Sequence, residues 1–414
     1  MSHELKQGGA FWLRLLSPFI FCILLAAPAL SALTGSWHPD AVFGAVIFGV
    51  AIISAAFMLG WVGEAAELDL SGGLAVGLLA VIAILPEYIV SIYFAFAAGT
   101  DPAMAAYASA NITGANRLLL GLGWPAVALI GFLAIRLGLN KKGGSRKFGI
   151  QLEGESRTDL GFLIFASAIA LIIPLTGQMH LLVGIVLIAI FVIYLWRQSH
   201  AEREEPELEG TAAYVGALPK WGRRAFILTA VLVAAAIIMA SAEPFAHYLI
   251  EAGQVLGVDD YLLVQWLAPI ASEAPEFALA LLFASRGKPG VGLAILVSSK
   301  VNQWTALVGS LPVAYVVGGG GAALPLDPRQ MEEFALTTAQ TLLGVALLLG
   351  LRLGFRASAL LFVLFITTFV FPQTEVRIWL AGAYFVLAGF MAFFNRKHLA
   401  GTLKAPFQLP KKLV

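Results

Sequence analysis

The chain has 414 residues, of which 59% are hydrophobic and 12% charged, with a net charge of +1. Soluble domains carry about 25% charged residues, so lipid must solvate most of this surface, and the balanced charge implies no nucleic-acid partner. The single cysteine, Cys22, excludes an internal disulfide and a Cys-type metal site.

A helix crosses the hydrocarbon in about 20 residues. In chain order, apolar runs fall near 11–33, 41–64, 74–99, 103–138, 159–175, 178–196, 225–250, 260–285, 289–318, 331–352, 357–373 and 376–394. These predict roughly twelve membrane helices. The runs 103–138 and 289–318 exceed one span and hold Pro125 and Pro312 with several glycines, which predicts a bent or broken helix in each.

Loop charge supports the count. One set of loops carries Lys141, Lys142, Arg146, Lys147, then Arg197, Arg203, Arg223, Arg224, then Arg286, Lys288, then Arg352, Arg356, then Arg396, Lys397, Lys411, Lys412. In the other set Arg329 and Arg377 stand nearly alone. The positive-inside rule places the basic set, with both chain ends, in the cytoplasm. The acidic turn Glu64–Asp69 is an exception within that set, read as a solvated turn or a cation-attracting mouth. The first run, with Lys6 and Arg14 ahead of small residues at 27–32, reads as a retained helix or a signal-like segment. Trp196, Trp221 and Tyr261 read as interfacial anchors.

The longest loop holds Glu202, Glu204, Glu205, Pro206, Glu207 and Glu209 and reads as a solvated linker. It divides the chain into 1–40 (extra N-terminal helix), 41–197 (first half), 198–224 (linker), 225–373 (second half) and 374–414 (extra helix and basic tail).

The halves share a pattern. The first has Leu85-Pro86-Glu87-Tyr88, then Ala110-Asn111-Ile112-Thr113-Gly114-Ala115-Asn116. The second has Ala274-Pro275-Glu276-Phe277, then Ser298-Ser299-Lys300-Val301-Asn302-Gln303. Span counting runs Glu87 and Glu276 through the bilayer in opposite directions, so the repeat is inverted, an architecture of secondary transporters. A helical proline frees the carbonyl four residues back, here Ile82 and Ala271. A hard cation takes several oxygens, and the adjacent carboxylate adds charge. The alternative is that these acids are merely structural, but a charge at a helix centre costs about 2.5–3.5 kcal/mol. Two acids in matching Pro-Glu contexts argue for a cation site.

This pattern resembles the sodium/calcium exchanger family, within the calcium/cation antiporter superfamily, whose repeats read near G-T-S-L-P-E and G-N-x-x-G-S-N-x-x-N. The resemblance implies an all-α polytopic membrane protein of two inverted five-helix repeats, here with about one extra helix at each end. It implies a secondary active antiporter, with calcium or another divalent cation exchanged for sodium or protons by alternating access. It assigns Glu87 and Glu276 as ion-binding acids, with Glu273, Ser272, Ser299, Gln303 and Asn111 as further ligands. Where the family has polar residues, the first repeat has Ala83, Ile84, Ala115 and Leu119, and about five extra residues follow Glu87. In the second repeat Lys300 replaces an asparagine. Fewer oxygens and an added ammonium imply fewer ions and protons as coupling ion. Lys300 either pairs with Glu273, or snorkels or points into a polar crevice. A sodium/proton exchanger and a non-transporting relative are the alternatives.

Arg117 is expected to pair with a site carboxylate or with the acidic turn, and Glu243 with His247 to form a satisfied pair near the membrane edge or a proton relay. No H-E-x-x-H or G-x-S-x-G motif occurs, so no enzyme is expected, and no cofactor or obligate protein partner. A bacterial-type plasma membrane, with the lipid bilayer and transported cations as partners, is the expected setting.

Overall fold

The computed structural model describes residues 8–66, 68–69, 73–136, 149–200, 208–371 and 373–408, with helical backbone alone at 73–84 and 135. Lys6, Glu67, Lys141, Lys142, Arg146, Lys147, Glu202, Arg203, Glu204, Glu205, Pro206, Glu207, Lys411 and Lys412, and the side chains of Ile82, Ala83 and Ile84, lie outside the described residues.

All twelve apolar runs contain helix. In chain order these are α1 Gly9–Leu33, α2 Ala41–Ala66, α3 Gly73–Ala97, α4 Met104–Leu118, α5 Trp124–Arg136, α6 Ser156–Ala170, α7 Ile172–Thr176 and α8 Leu181–Gln198. After a short α9 (Gly210–Gly216) come α10 Lys220–Leu256, α11 Asp260–Ser285, α12 Pro289–Asn302, α13 Val308–Val317, α14 Pro328–Leu348, α15 Phe355–Val370 and α16 Thr374–Phe394, then a short α17 (Arg396–Lys404). Among the described residues nine helical stretches are long and apolar enough to cross a membrane. In that count α4–α5, α6–α7 and α12–α13 are each one stretch. The protein is therefore an all-α, many-pass membrane protein.

Its contacts divide it into two compact units, residues 1–93 with 195–275 and residues 94–194 with 276–414.

In the first unit α1 buries one stripe, Phe11, Leu15, Phe19, Cys22, Ala26 and Ala29, and leaves Leu13, Ile20, Phe21 and Leu24 exposed. A three-four spacing of buried residues puts them on one face. Phe19 meets Trp61 of α2 and Phe226 of α10 edge-on. Helices in lipid gain little from apolarity and pack through small residues instead. Accordingly Tyr248 and Phe245 of α10 lie over Gly44 and Gly49 of α2. The order of these contacts makes α2 and α10 antiparallel, as the first helices of two inverted halves should be.

The acidic turn after α2 is neither solvated nor open to cations at Asp69. The Asp69 side chain is 5% exposed, accepts a hydrogen bond from Arg223 Nε at 2.6 Å and lies 3.3 Å from Arg224 Nε. The Arg223 hydrogen bond, aided by the charge of both arginines, holds the Asp69 carboxyl below the ordinary carboxylate range. A depressed folded pKa adds stability that is present above the unfolded value, about 3.9, and lost as pH falls through the folded one. Asp69→Asn should therefore lower stability by roughly 1 kcal/mol at neutral pH. That deficit should fade below about pH 4, as thermal melts of the detergent-solubilised protein across pH would show.

In the second unit α4–α5 runs antiparallel to α12–α13. Asn116 faces Lys300, Gly123 faces Leu296 and Gly131 faces Pro289. Two strand pairs report the same symmetry. The strand β1 (Ile150–Gln151), between α5 and α6, pairs with β4 (Arg352–Leu353), between α14 and α15. The strand β2 (Gln178–His180), before α8, pairs with β3 (Ala323–Pro325), between α13 and α14. Each pair joins loops that charge assigned to one side of the membrane, so the predicted sidedness and the structure agree there. Gly184 of α8 and Gly309 of α13 pack mutually, and a Cβ on either would stand 2.6 Å from the other's carbonyl oxygen.

The helix α14 begins with a capping box, Asp327 accepting from the Gln330 backbone N–H at 2.8 Å. It is less apolar than its neighbours because it buries Glu332, Glu333, Thr337, Thr338, Gln340 and Thr341. Tyr261 is also buried, 4% exposed, and is not the lipid-facing anchor expected, whereas Trp196 and Trp221 are exposed.

Candidate functional site

The two Pro-Glu pairs lie inside helices, Pro86-Glu87 in α3 and Pro275-Glu276 in α11. Each proline withholds an N–H from its helix. Glu87 is buried. Glu273 and Ser272 are buried one turn before Glu276. The Ser272 hydroxyl donates to its own helix, 3.2 Å from the Ala268 carbonyl and 3.3 Å from that of Pro269, so its lone pairs point elsewhere. Glu276 is half-buried, yet its Oε2 is sealed from solvent and accepts no hydrogen bond among the described residues. A sealed carboxylate oxygen without a donor is costly unless a proton or a cation meets it.

Glu87, Ser272 and Glu273 belong to the first unit, and Asn111, Glu276, Ser299 and Gln303 to the second. Asn111 and Gln303 are fully buried and Ser299 half-buried. Among the described residues no three His, Cys, Asp or Glu side chains form a metal-holding group. A hard cation accepts amide, hydroxyl and carbonyl oxygens as well as carboxylates.

The two long runs are interrupted, though not by a simple proline bend. Residues Leu119–Gly123 and Gln303–Leu307 each form a five-residue π-helical turn. Trp124 N–H donates to the Leu119 carbonyl, and Val308 N–H to that of Gln303. Both turns start at the last position of the second motif, and the two positions differ by 184 residues, as Asn116 and Lys300 do. Such turns widen the backbone and recur at functional sites. Pro125 follows the first turn, but Pro312 lies within α13. The extra residues of the first repeat fall partly between α3 and α4, where 98–103 stands against 286–288 in the second.

Lys300 does not snorkel. It is 1% exposed, and its Nζ donates to the Asn116 carbonyl at 2.9 Å and to Asn116 Oδ1 at 3.2 Å. Asn116 Nδ2 donates to the Ile112 carbonyl at 3.0 Å, which turns Oδ1 toward the ammonium.

Arg117 meets a partner that the sequence did not suggest. Its Nη1 lies 2.5 Å from Glu333 Oε2 and its Nη2 2.5 Å from Thr368 Oγ1. Glu333 also accepts from Arg377, whose Nε lies 2.9 Å from Glu332 Oε1. Arg377 is thus buried, not a loop residue, and two arginines and two glutamates neutralise one another between α4, α14 and α16. Two adjacent acids inside the run 331–352 were the signal for this cluster. Glu243 and His247 are both exposed, and His247 lies 3.9 Å from Glu251 rather than on Glu243.

The sequence model of the family described as "Sodium/calcium exchanger protein" matches residues 40–199 and 226–396. No curated protein sequence matches. Among solved structures, the H+/Ca2+ exchanger CAX is 36% identical, with a TM-score of 0.88, over 94% of this chain and 97% of that one. The Ca2+/H+ antiporter protein YfkE is 18% identical, with a TM-score of 0.57, over 92% and 100%. The sodium-calcium exchanger NCX_Mj is 18% identical, with a TM-score of 0.50, over 80% and 100%. The last two likenesses bear on the fold.

Proposed function

This chain belongs to the sodium/calcium exchanger family, and from that premise we propose that it is a calcium antiporter whose coupling ion is the proton. The observation that carries the reading is Glu276, whose sealed Oε2 accepts no hydrogen bond among the described residues. Such an oxygen suits a site occupied in turn by calcium and by a proton. The 36% identity to an H+/Ca2+ exchanger supports the same pair of ions.

The ligands are Glu87 and Glu276, with Glu273, Ser272, Asn111, Ser299 and Gln303 supplying further oxygens. Support for this set comes from the repeated Pro-Glu motif, the burial of most of its members, and the π-helical turn that opens at Gln303. Protonating the carboxylates releases the divalent ion, and deprotonating them rebinds it, so the two ions compete for one site. Exposure of that site to alternate sides of the membrane then gives exchange. The halves 41–197 and 225–373 would be the moving parts, with 374–414 an addition to them. The plasma membrane of a bacterial-type cell fits the loop charge.

Labelled calcium uptake into vesicles of the purified protein should saturate, and unlabelled calcium inside should accelerate it. Uptake that stays proportional to calcium and ignores internal calcium would indicate a channel instead.

A further inference from the structure

We infer that the Lys300 ammonium is a tethered cation filling a monovalent-ion subsite in the second unit, which makes the exchanger blind to sodium. This rests on the antiporter reading above.

Lys300 and Asn116 hold equivalent positions of the two repeats, 184 residues apart, and they touch. When equivalent residues of an inverted repeat meet, the pseudo-two-fold axis passes between them. The flanking contacts agree, since α4–α5 runs antiparallel to α12–α13 and β1–β4 and β2–β3 exchange equivalent loops. The family pattern carries an amide at both positions, and here one of them is an ammonium. Its contacts include a backbone carbonyl and a side-chain amide oxygen, at 2.9 and 3.2 Å. Oxygens of these kinds also coordinate a bare alkali or alkaline-earth cation. An ammonium offers three donors and no acceptor, so at such oxygens it takes the place of a cation. It cannot leave, because its stem is part of α12.

The surroundings fix it there. The side chain is 1% exposed, and the Trp304 ring lies 5.8 Å from Nζ. Asn116 is held by its own bond to the Ile112 carbonyl. One turn on, both helices enter their π-helical turns, at Leu119 and Gln303. The subsite therefore sits immediately before the two places where the ion-motif helices change their winding.

The test uses the full-length protein in two assays. In vesicles, calcium flux driven by a pH gradient is measured with and without sodium. In micelles, thermal stabilisation by sodium chloride is measured against choline chloride. Wild type should ignore sodium in both. Lys300→Asn, which frees the Asn116 oxygens and adds another, should acquire sodium inhibition of flux and sodium-dependent stabilisation, with sodium affinity raised about tenfold or more. Lys300→Arg, which keeps the charge, should remain insensitive. A folded Lys300→Asn protein without either sodium response would overturn the inference, leaving the lysine a structural group. If that variant does not fold, the wild-type measurement decides, because sodium stabilisation of wild type is incompatible with a filled subsite. A wild type that moves no calcium under any gradient would contradict the antiporter reading instead, since sodium binding in micelles is read without flux.

Discussion

Glu276→Gln is expected to reduce calcium flux at least about 100-fold, a loss of about 2.8 kcal/mol at 1.4 kcal/mol per decade, while the protein remains folded. Two unit charges 4 Å apart attract by about 4 kcal/mol at an effective dielectric of 20, and a divalent cation doubles that. Desolvation of the carboxylate offsets part of the gain, so two decades is a conservative figure. The glutamine keeps the shape and one oxygen but can neither balance calcium nor take up a proton. Because the Oε2 it replaces is sealed and accepts no hydrogen bond among the described residues, the variant should melt at or above the wild-type temperature. Glu87→Gln should lose flux to a similar extent, its side chain being buried beside Pro86. Near-normal flux in either variant would remove that residue from the site.

The second large effect concerns stability. Glu333→Gln should destabilise the protein by about 3–5 kcal/mol, the usual consequence of removing one partner from a buried ion cluster. Glu333 is fully buried and accepts from both Arg117 and Arg377, so its loss leaves two buried guanidiniums facing an amide. Arg117→Gln should cost less, because Arg377 still neutralises Glu333. Thermal melts in detergent test this, and a Glu333→Gln protein with the wild-type melting temperature would contradict it. The cluster also gives α16 a purpose. Its Arg377 reaches, through Glu333, the arginine next to Asn116. Loosening it should raise the calcium concentration needed for half-maximal flux as well as lower stability.

The sequence made the helices and the two Pro-Glu pairs legible because each has a chemical signature. Apolar runs mark spans, Lys and Arg mark one set of loops, and an acid beside a proline in an apolar run is too costly to be incidental. Pairings between distant helices left no such trace. Arg117 and Glu333 are 216 positions apart, and nothing local distinguishes Glu333 from the acids of the first half as a partner. Proline and glycine in the two long runs signal a break in each, but not its kind. An i→i+5 bond has no composition of its own, and what locates both turns is the motif register at Leu119 and Gln303. Strands of two or three residues such as β1 and β4 lack the length to show alternation. Lys300 stood out as the wrong residue type in its motif, but its partner emerged only from the fold, because the symmetry axis has no position in a linear sequence. Asp69 read as solvated for a related reason, as Arg223 and Arg224 lie over 150 residues away.

The most direct test of the account is calcium flux into vesicles of the purified protein, driven in parallel by a pH gradient and by a sodium gradient of equal size. Flux under the pH gradient with none under the sodium gradient is the predicted result. Flux that requires sodium and ignores pH would contradict proton coupling and the tethered-cation role of Lys300 together.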